Sequence, residues 1–233
     1  MTIKINPEAL VEAVTSQLYG QDDVVRAIAH GLEEQSKRVE RKRPLGVLLF
    51  AGQPGTGKTE AAKILARKIF GEDGDNLILV EMARIRSVSE LIGSKPGFFG
   101  SDRDTPFIAA LKAKKRGVVL LDEIDQSSAE VLLSLVSAFG DGEIQTGSGK
   151  KISTKDFLFV LTTEASPEMA QMFAKESSET VDLDARSMMI KALLARNSTL
   201  FRPEFLDRID KCYGFKPLEG ADKDRLIRSE IER

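Results

Sequence analysis

At 233 residues the chain suits one large domain, or one domain plus a fragment, and it can bury a substantial core. Hydrophobic residues make up 42% and charged residues 30%, with a formal net charge of −2, so nothing in the balance pulls it toward nucleic acid or a membrane surface. A single cysteine, Cys212, excludes an internal disulfide and fits a reducing compartment, and the lone His30 excludes a multi-histidine metal site. With no apolar signal core and no apolar run of spanning length, the expected setting is the cytoplasm, without a membrane partner.

Asn6-Pro7-Glu8 predicts a helix start: a capping side chain, proline at the first helical position and an acid behind it. Leu10, Val11, Val14 and Leu18 follow at helical spacing. Tyr19-Gly20-Gln21-Asp22 breaks the pattern and opens a second helix carrying Val24, Val25, Ile28 and Leu32. Five of the seven residues 37–43 are basic. Without aromatic interleaving or a second basic cluster, they read as a solvated helix end and linker before Pro44, not as a nucleic-acid patch.

The apolar run Val47-Leu48-Leu49-Phe50 then meets Gly52-Gln53-Pro54-Gly55-Thr56-Gly57-Lys58-Thr59, followed by Glu60 and a helical pattern of Ala61, Ile64, Leu65 and Ile69. Strand, glycine-rich turn and helix start have the full G-x-x-x-x-G-K-T spacing of a P-loop. Glycines let successive backbone N–H groups point inward at phosphate, and the helix adds the positive end of its dipole. Lys58 is expected to reach the β- and γ-phosphates and Thr59 to take a Mg²⁺ position.

Leu77-Ile78-Leu79-Val80 reads as a buried strand, and a short helix near residues 87–92 leads to a loop at residues 93–100. Phe98 and Phe99 lie in that loop between glycines, and apolar rings at a flexible tip are expected to touch something else. Residues 105–115 read as an amphipathic helix. Gly117-Val118-Val119-Leu120-Leu121-Asp122-Glu123 suits a strand buried on both faces that ends in two carboxylates. If this strand neighbours the first, Asp122 is placed to support Mg²⁺ and Glu123 to polarise an attacking water.

Residues 129–139 form an apolar-rich helical stretch, and residues 140–153 read as a glycine-rich hairpin or loop. A strand over 156–163 ends in Thr162-Thr163-Glu164. A helix begins at Ser166, an exposed connection covers 177–184, and a further helix runs to about Ala195. A short strand over 212–215 and a charged helix from Ala221 close the chain. The alternation predicts an α/β P-loop NTPase with a mainly parallel five-stranded sheet, helices on both faces, and nucleotide at the carboxyl ends of the strands.

The order of the P-loop, Leu120-Leu121-Asp122-Glu123 and Phe201-Arg202-Pro203-Glu204-Phe205-Leu206-Asp207-Arg208-Ile209-Asp210 resembles AAA+ ATPases. More narrowly, residues 19–218 look like the large subdomain of the second ATPase module of Clp-type unfoldases and disaggregases. Ser89-Glu90-Leu91-Ile92-Gly93 with Pro96-Gly97-Phe98-Phe99-Gly100 is similar to that family's substrate-gripping pore loop, and the stretch from Gly140-Asp141-Gly142 to Lys151 to its second pore loop.

The resemblance implies rings, usually of six subunits, with ATP or ADP and Mg²⁺ bound between neighbours. It implies a polypeptide substrate, and a protease or adaptor as further partner class. Leu18 and Tyr19 would lie against the adenine, beside a phosphate-binding set of Gly52, Gln53, Pro54, Gly55, Thr56, Gly57, Lys58, Thr59 and Glu60. Arg208 would be an arginine finger for the next subunit's γ-phosphate, the ordinary alternative being an ion pair with Asp207 or Asp210. Phe98 matches the gripping aromatic and Phe99 the aliphatic position.

Two departures stand out. Relatives place an asparagine where this chain has Glu164, so either Thr163 takes over water positioning or hydrolysis is slow. The small helical lid subdomain is expected to be largely absent: residues 1–43 form the leading helices, 44–218 the large subdomain, and 219–233 the start of a truncated small subdomain. A nucleotide-gated scaffold with little turnover, and a clamp-loader or helicase-loader relative acting on nucleic acid, are the competing readings.

Overall fold

The computed structural model describes residues 3–37, 41–71, 76–98, 101, 103–175, 182–197, 199–218, 220, 222, 223 and 225. Among these the helices are Pro7–Thr15 (α1), Asp22–Ser36 (α2), Lys58–Phe70 (α3), Val88–Ile92 (α4), Pro106–Lys114 (α5), Ala129–Leu133 (α6), Val136–Gly140 (α7), Pro167–Lys175 (α8), Leu183–Asn197 (α9) and Pro203–Leu206 (α10). The strands are Gly46–Gly52 (β1), Leu77–Glu81 (β2), Gly117–Asp122 (β3), Glu143–Gln145 (β4), Lys151–Ser153 (β5), Phe157–Glu164 (β6) and Lys211–Phe215 (β7).

Five strands form one sheet in the order β2-β3-β6-β1-β7, parallel at every pairing, while β4 and β5 make a separate antiparallel hairpin. The period-two alternation of strand side chains splits the core into two layers. Leu48, Phe50, Val118, Leu120, Leu158 and Val160 pack against α1, α2 and α3. Val47, Leu49, Val119, Leu121, Phe159 and Leu161 pack against the helices of the other face, from Leu91 of α4 to Phe205 of α10. The fold is therefore the expected α/β arrangement, with β1 an interior strand between β6 and β7 and the loop after it opening at the carboxyl ends of its neighbours.

Local chemistry sets several helix starts. The Asn6 side chain accepts from the Glu8 and Ala9 amides at 3.1 and 3.2 Å, and Pro7 opens α1. Thr105 caps α5 in the same way, by accepting from the Ile108 amide.

Several expectations are corrected. Among the described residues Leu77–Glu81 is an edge strand, and it alternates: Ile78 and Val80 are buried, while Leu79 points to the opposite face and is 46% exposed. The stretch over 129–139 is two helices, interrupted where the Ser134 hydroxyl turns back to donate to the Val131 carbonyl at 2.7 Å. Glu164 is the last strand residue instead of following the strand.

The basic run is not simply solvated. Arg41 pairs with Asp156 at 2.9 Å with its side chain 12% exposed, and Arg43 is tied to three backbone and side-chain acceptors. Residues 38–40, Phe99 and most of the expected final helix lie outside the described residues. Among the described residues, no helix is long and apolar enough to cross a membrane.

Candidate nucleotide-binding site

The site is built at the end of β1, where Gly52 lies between Glu164 of β6 and Phe215 of β7. A Cβ on Gly52 would stand 2.8 Å from the Thr56 hydroxyl and 2.9 Å from Phe215, so no side chain fits there. Gly57 has φ of 90°, and a Cβ on it would collide with Leu18. The loop is otherwise open: Gln53, Pro54 and Gly55 are exposed, and buried Thr56 donates to the Gln53 carbonyl at 2.9 Å.

Lys58 folds back over the loop, its Nζ donating to the Gly52 and Gln53 carbonyls at 2.8 and 2.9 Å. Burial lowers its pKa, opposed by the negative charges of Glu164, Asp122, Asp125 and Glu123.

Thr59, in the first turn of α3, donates to Asp122 at 3.1 Å. Asp122 also accepts from Thr162 at 2.6 Å, and the same Thr162 oxygen accepts the Glu123 amide at 2.9 Å. Register is the cause. Leu121 pairs with Leu161, so Asp122 and Thr162 come next on neighbouring strands and share the face that α3 covers. Glu123 then adopts a left-handed conformation, φ 57° and ψ 56°, which turns its exposed side chain out of the strand.

Thr163 lies on the other face, buried, its hydroxyl 3.4 Å from the Glu164 carbonyl and away from the acid pair. Thr162 is thus the site residue that motif reading missed. The signal was available in the alternation of β6 combined with its parallel pairing to β3. Glu164 is exposed, and its amide donates to Asp125 at 3.2 Å.

Around the loop, Leu18 is buried against Gly57 and Tyr19 is half-buried beside it. Gln21 holds this turn to the exit of β7, its side chain donating to the Lys216 carbonyl at 2.7 Å and accepting the Lys216 amide at 3.1 Å. Glu60 is engaged by Lys63 at 3.8 Å and Arg67 at 3.3 Å.

Two predicted residues stand apart from this cluster. Arg208 precedes β7, whose first residue pairs with Leu48 and whose last pairs with Gly52. At about 3.3 Å per strand residue, it lies well over ~13 Å from its own P-loop, at the opposite end of the sheet. Its guanidinium lies along Gly140, where a Cβ would stand 2.6 Å from Nη1. Among the described residues it has no ion pair with Asp207 or Asp210; Asp210 instead accepts the Val47 amide at 2.8 Å and pairs with Arg43 at 3.3 Å. Phe98 is 69% exposed in the loop after α4. The base of that loop is held by the β4–β5 hairpin, through the Gly147 amide donating to the Ile92 carbonyl at 2.8 Å.

A sequence profile of the AAA domain (Cdc48 subfamily) matches residues 43–212, which hold the P-loop, the acid pair and Arg208. The chain belongs to the AAA domain family. Over 231 residues it is 34% identical to the chaperone protein ClpB of Chlamydia pneumoniae, covering 96% of the chain and 26% of that protein. It is 31% identical over 222 residues to the probable chaperone protein ClpB 1 of Chlorobaculum tepidum, covering 93% of the chain and 50% of that protein.

Its fold matches a closed-state reconstruction of Hsp104 with ATPyS and FITC casein, with a TM-score of 0.80 at 24% identity over 97% of the chain and 38% of that structure. An extended Hsp104:casein complex from S. cerevisiae matches with the same TM-score at 25% identity. The chain is therefore a Clp-type AAA module that spans about a quarter to a half of the length of these curated relatives.

Proposed function

We propose that the chain is the ATP-binding and ATP-hydrolysing module of a Clp-like protein-remodelling ring, with one site per subunit boundary. The observation that carries this reading is the meeting of Thr59, Asp122 and Thr162 beneath the P-loop, with Glu123 turned outward beside them. In this reading the amides of residues 52–59 and Lys58 hold the phosphates, Lys58 exchanging its present carbonyl acceptors for phosphate oxygens. Leu18 and Tyr19 face the adenine.

The hydroxyl of Thr59 and the carboxylate of Asp122 are hard oxygen donors of the kind Mg²⁺ takes while keeping most of its water. Bound there, Mg²⁺ supplies neutralisation of phosphate charge. Glu123 acts as the base that orients and deprotonates the attacking water. Arg208 serves the γ-phosphate of the next subunit, since it stands at the wrong end of the sheet for its own. A ring, of six subunits in the family's usual form, then follows from the need for a neighbour.

Phe98, with Phe99 after it, offers an exposed ring that can grip unlike polypeptide side chains by packing. The substrate is polypeptide instead of nucleic acid, the setting cytoplasmic, and a protease or adaptor the further partner class. A second reading, a nucleotide-gated scaffold with little turnover, is favoured by Glu164, an exposed acid at the end of β6 beside Gly52 of the P-loop.

ATP turnover per subunit, measured across a wide protein concentration range, separates the two. A shared site gives specific activity that climbs with concentration and collapses in Arg208→Ala and Glu123→Gln. Flat, near-zero turnover with nucleotide binding intact would refute the motor and leave the scaffold.

A further inference from the structure

We propose that Arg43, which the sequence pattern presents as part of a basic linker, is the positioning residue for Arg208. The inference rests on the reading of Arg208 as a residue acting across a subunit boundary. Arg43 uses all three guanidinium nitrogens, and each goes to a segment that defines where Arg208 lies. Nε donates to the Phe139 carbonyl at 3.1 Å, Nη2 donates to the Arg208 carbonyl at 3.0 Å, and Nη1 pairs with Asp210 at 3.3 Å.

The three acceptors are not scattered. Phe139 precedes Gly140, the bare backbone along which the Arg208 guanidinium lies, with a Cβ there meeting Nη1 at 2.6 Å and Cζ at 2.7 Å. The Arg208 carbonyl and Asp210 fix the chain that carries the side chain. Asp210 uses its second oxygen to accept the Val47 amide at 2.8 Å, and its own amide donates to the Val47 carbonyl at 2.8 Å. Arg43 therefore clamps the floor and the stem of Arg208 together and fastens both to β1, the strand that carries the P-loop.

A planar guanidinium can bond three acceptors in three directions at once, whereas a lysine ammonium is a single point on a flexible stem. A finger that must meet a phosphate on another subunit is sensitive to this, because a misplacement of about 1 Å can cost roughly a hundredfold in rate. Arg43 does not reach its own P-loop: it sits before the start of β1, at the opposite end from Gly52.

The test compares Arg43→Ala, Arg43→Lys, Arg208→Ala and Glu123→Gln in the full chain. Arg43→Ala is expected to lower kcat at least roughly tenfold while leaving KM for ATP within about twofold, since its own P-loop is untouched. Arg43→Lys is expected to recover only part of the loss. Mixing Arg43→Ala with Glu123→Gln restores turnover, because the first supplies sound P-loops and the second sound fingers. About one boundary in four is then complete in an equal mixture. Mixing Arg43→Ala with Arg208→Ala restores none, because neither supplies a finger.

Amide exchange provides an arm that needs no turnover. Residues 205–210, whose amides are all bonded in the wild type, exchange faster in Arg43→Ala, while residues 57–64 do not. Wild-type turnover and wild-type exchange in Arg43→Ala, beside an inactive Arg208→Ala, overturn the assignment. Wild-type turnover in Arg208→Ala overturns instead the finger reading on which it rests.

Discussion

Thr162→Val isolates the hydroxyl that links β6 to the acid pair. Valine keeps nearly the same volume in a site that is 1% exposed, so packing is preserved and the polar contacts are what change. Two bonds disappear, the donation to Asp122 at 2.6 Å and the acceptance of the Glu123 amide at 2.9 Å. A hydrogen bond to a charged group contributes about 1.5–3 kcal/mol, and an orphaned buried amide costs about 1–3 kcal/mol more. Asp122 keeps Thr59 as a donor and both groups are only part-buried, so the expected loss falls near the low end of the sum, about 2.5 kcal/mol.

The functional effect follows from Glu123. Its left-handed backbone costs about 1 kcal/mol or more to hold, and the Thr162 tether is what holds it. Released, the glutamate spends less time where it can activate water, so turnover should fall by roughly tenfold or more. Urea denaturation gives the first quantity and steady-state ATP turnover the second. Thr163→Val is the control, since its hydroxyl has a single long contact of 3.4 Å, and it should cost below about 0.5 kcal/mol. If Thr162→Val matched the wild type in both assays while Thr163→Val was the damaging change, the strand-alternation argument would be wrong.

Two further outcomes are expected. Gly147→Ala should cost about 1–3 kcal/mol and separate the β4–β5 hairpin from the Phe98 loop, because the new Cβ meets the Gly93 backbone and lies 2.5 Å from the Ser94 carbonyl. Faster chymotrypsin cleavage after Phe98, which is exposed in that loop, reports that separation, and an unchanged melting point with unchanged cleavage would sink it. Cys212 should resist iodoacetamide until the chain unfolds, since burial pushes its thiol up to about 12 from 9.0. The folded thiol holds its proton longer than the unfolded one, so between those values this group's contribution to stability falls by about 1.4 kcal/mol per pH unit as pH rises. Urea titrations of the wild type and Cys212→Ala from pH 8 to 10.5 check the slope, which should be shallower in the variant.

The parts legible from sequence alone were those whose physics is local. A P-loop is strand, turn and helix in one contiguous stretch, so the positive φ at Gly55 and Gly57 and the helix start at Lys58 follow from neighbouring residues. Asp122 and Glu123 were legible because a short, β-branched apolar run that ends in acids suits a buried strand reaching the surface. The five-stranded parallel sheet followed from the same alternation.

The tertiary structure decided everything that depends on which strands are neighbours and how closely elements approach. Thr162, not Thr163, reaches Asp122 because β6 pairs with β3 in one register. Gly140 and Gly147 read as flexible punctuation, yet one makes room for the Arg208 guanidinium and the other for the Gly93 backbone. Arg43 and Arg208 are joined across 165 positions of sequence, a separation over which no local pattern carries information. Composition and periodicity determine what a segment forms; the partner that a charged side chain meets is set by packing, after those segments have come together.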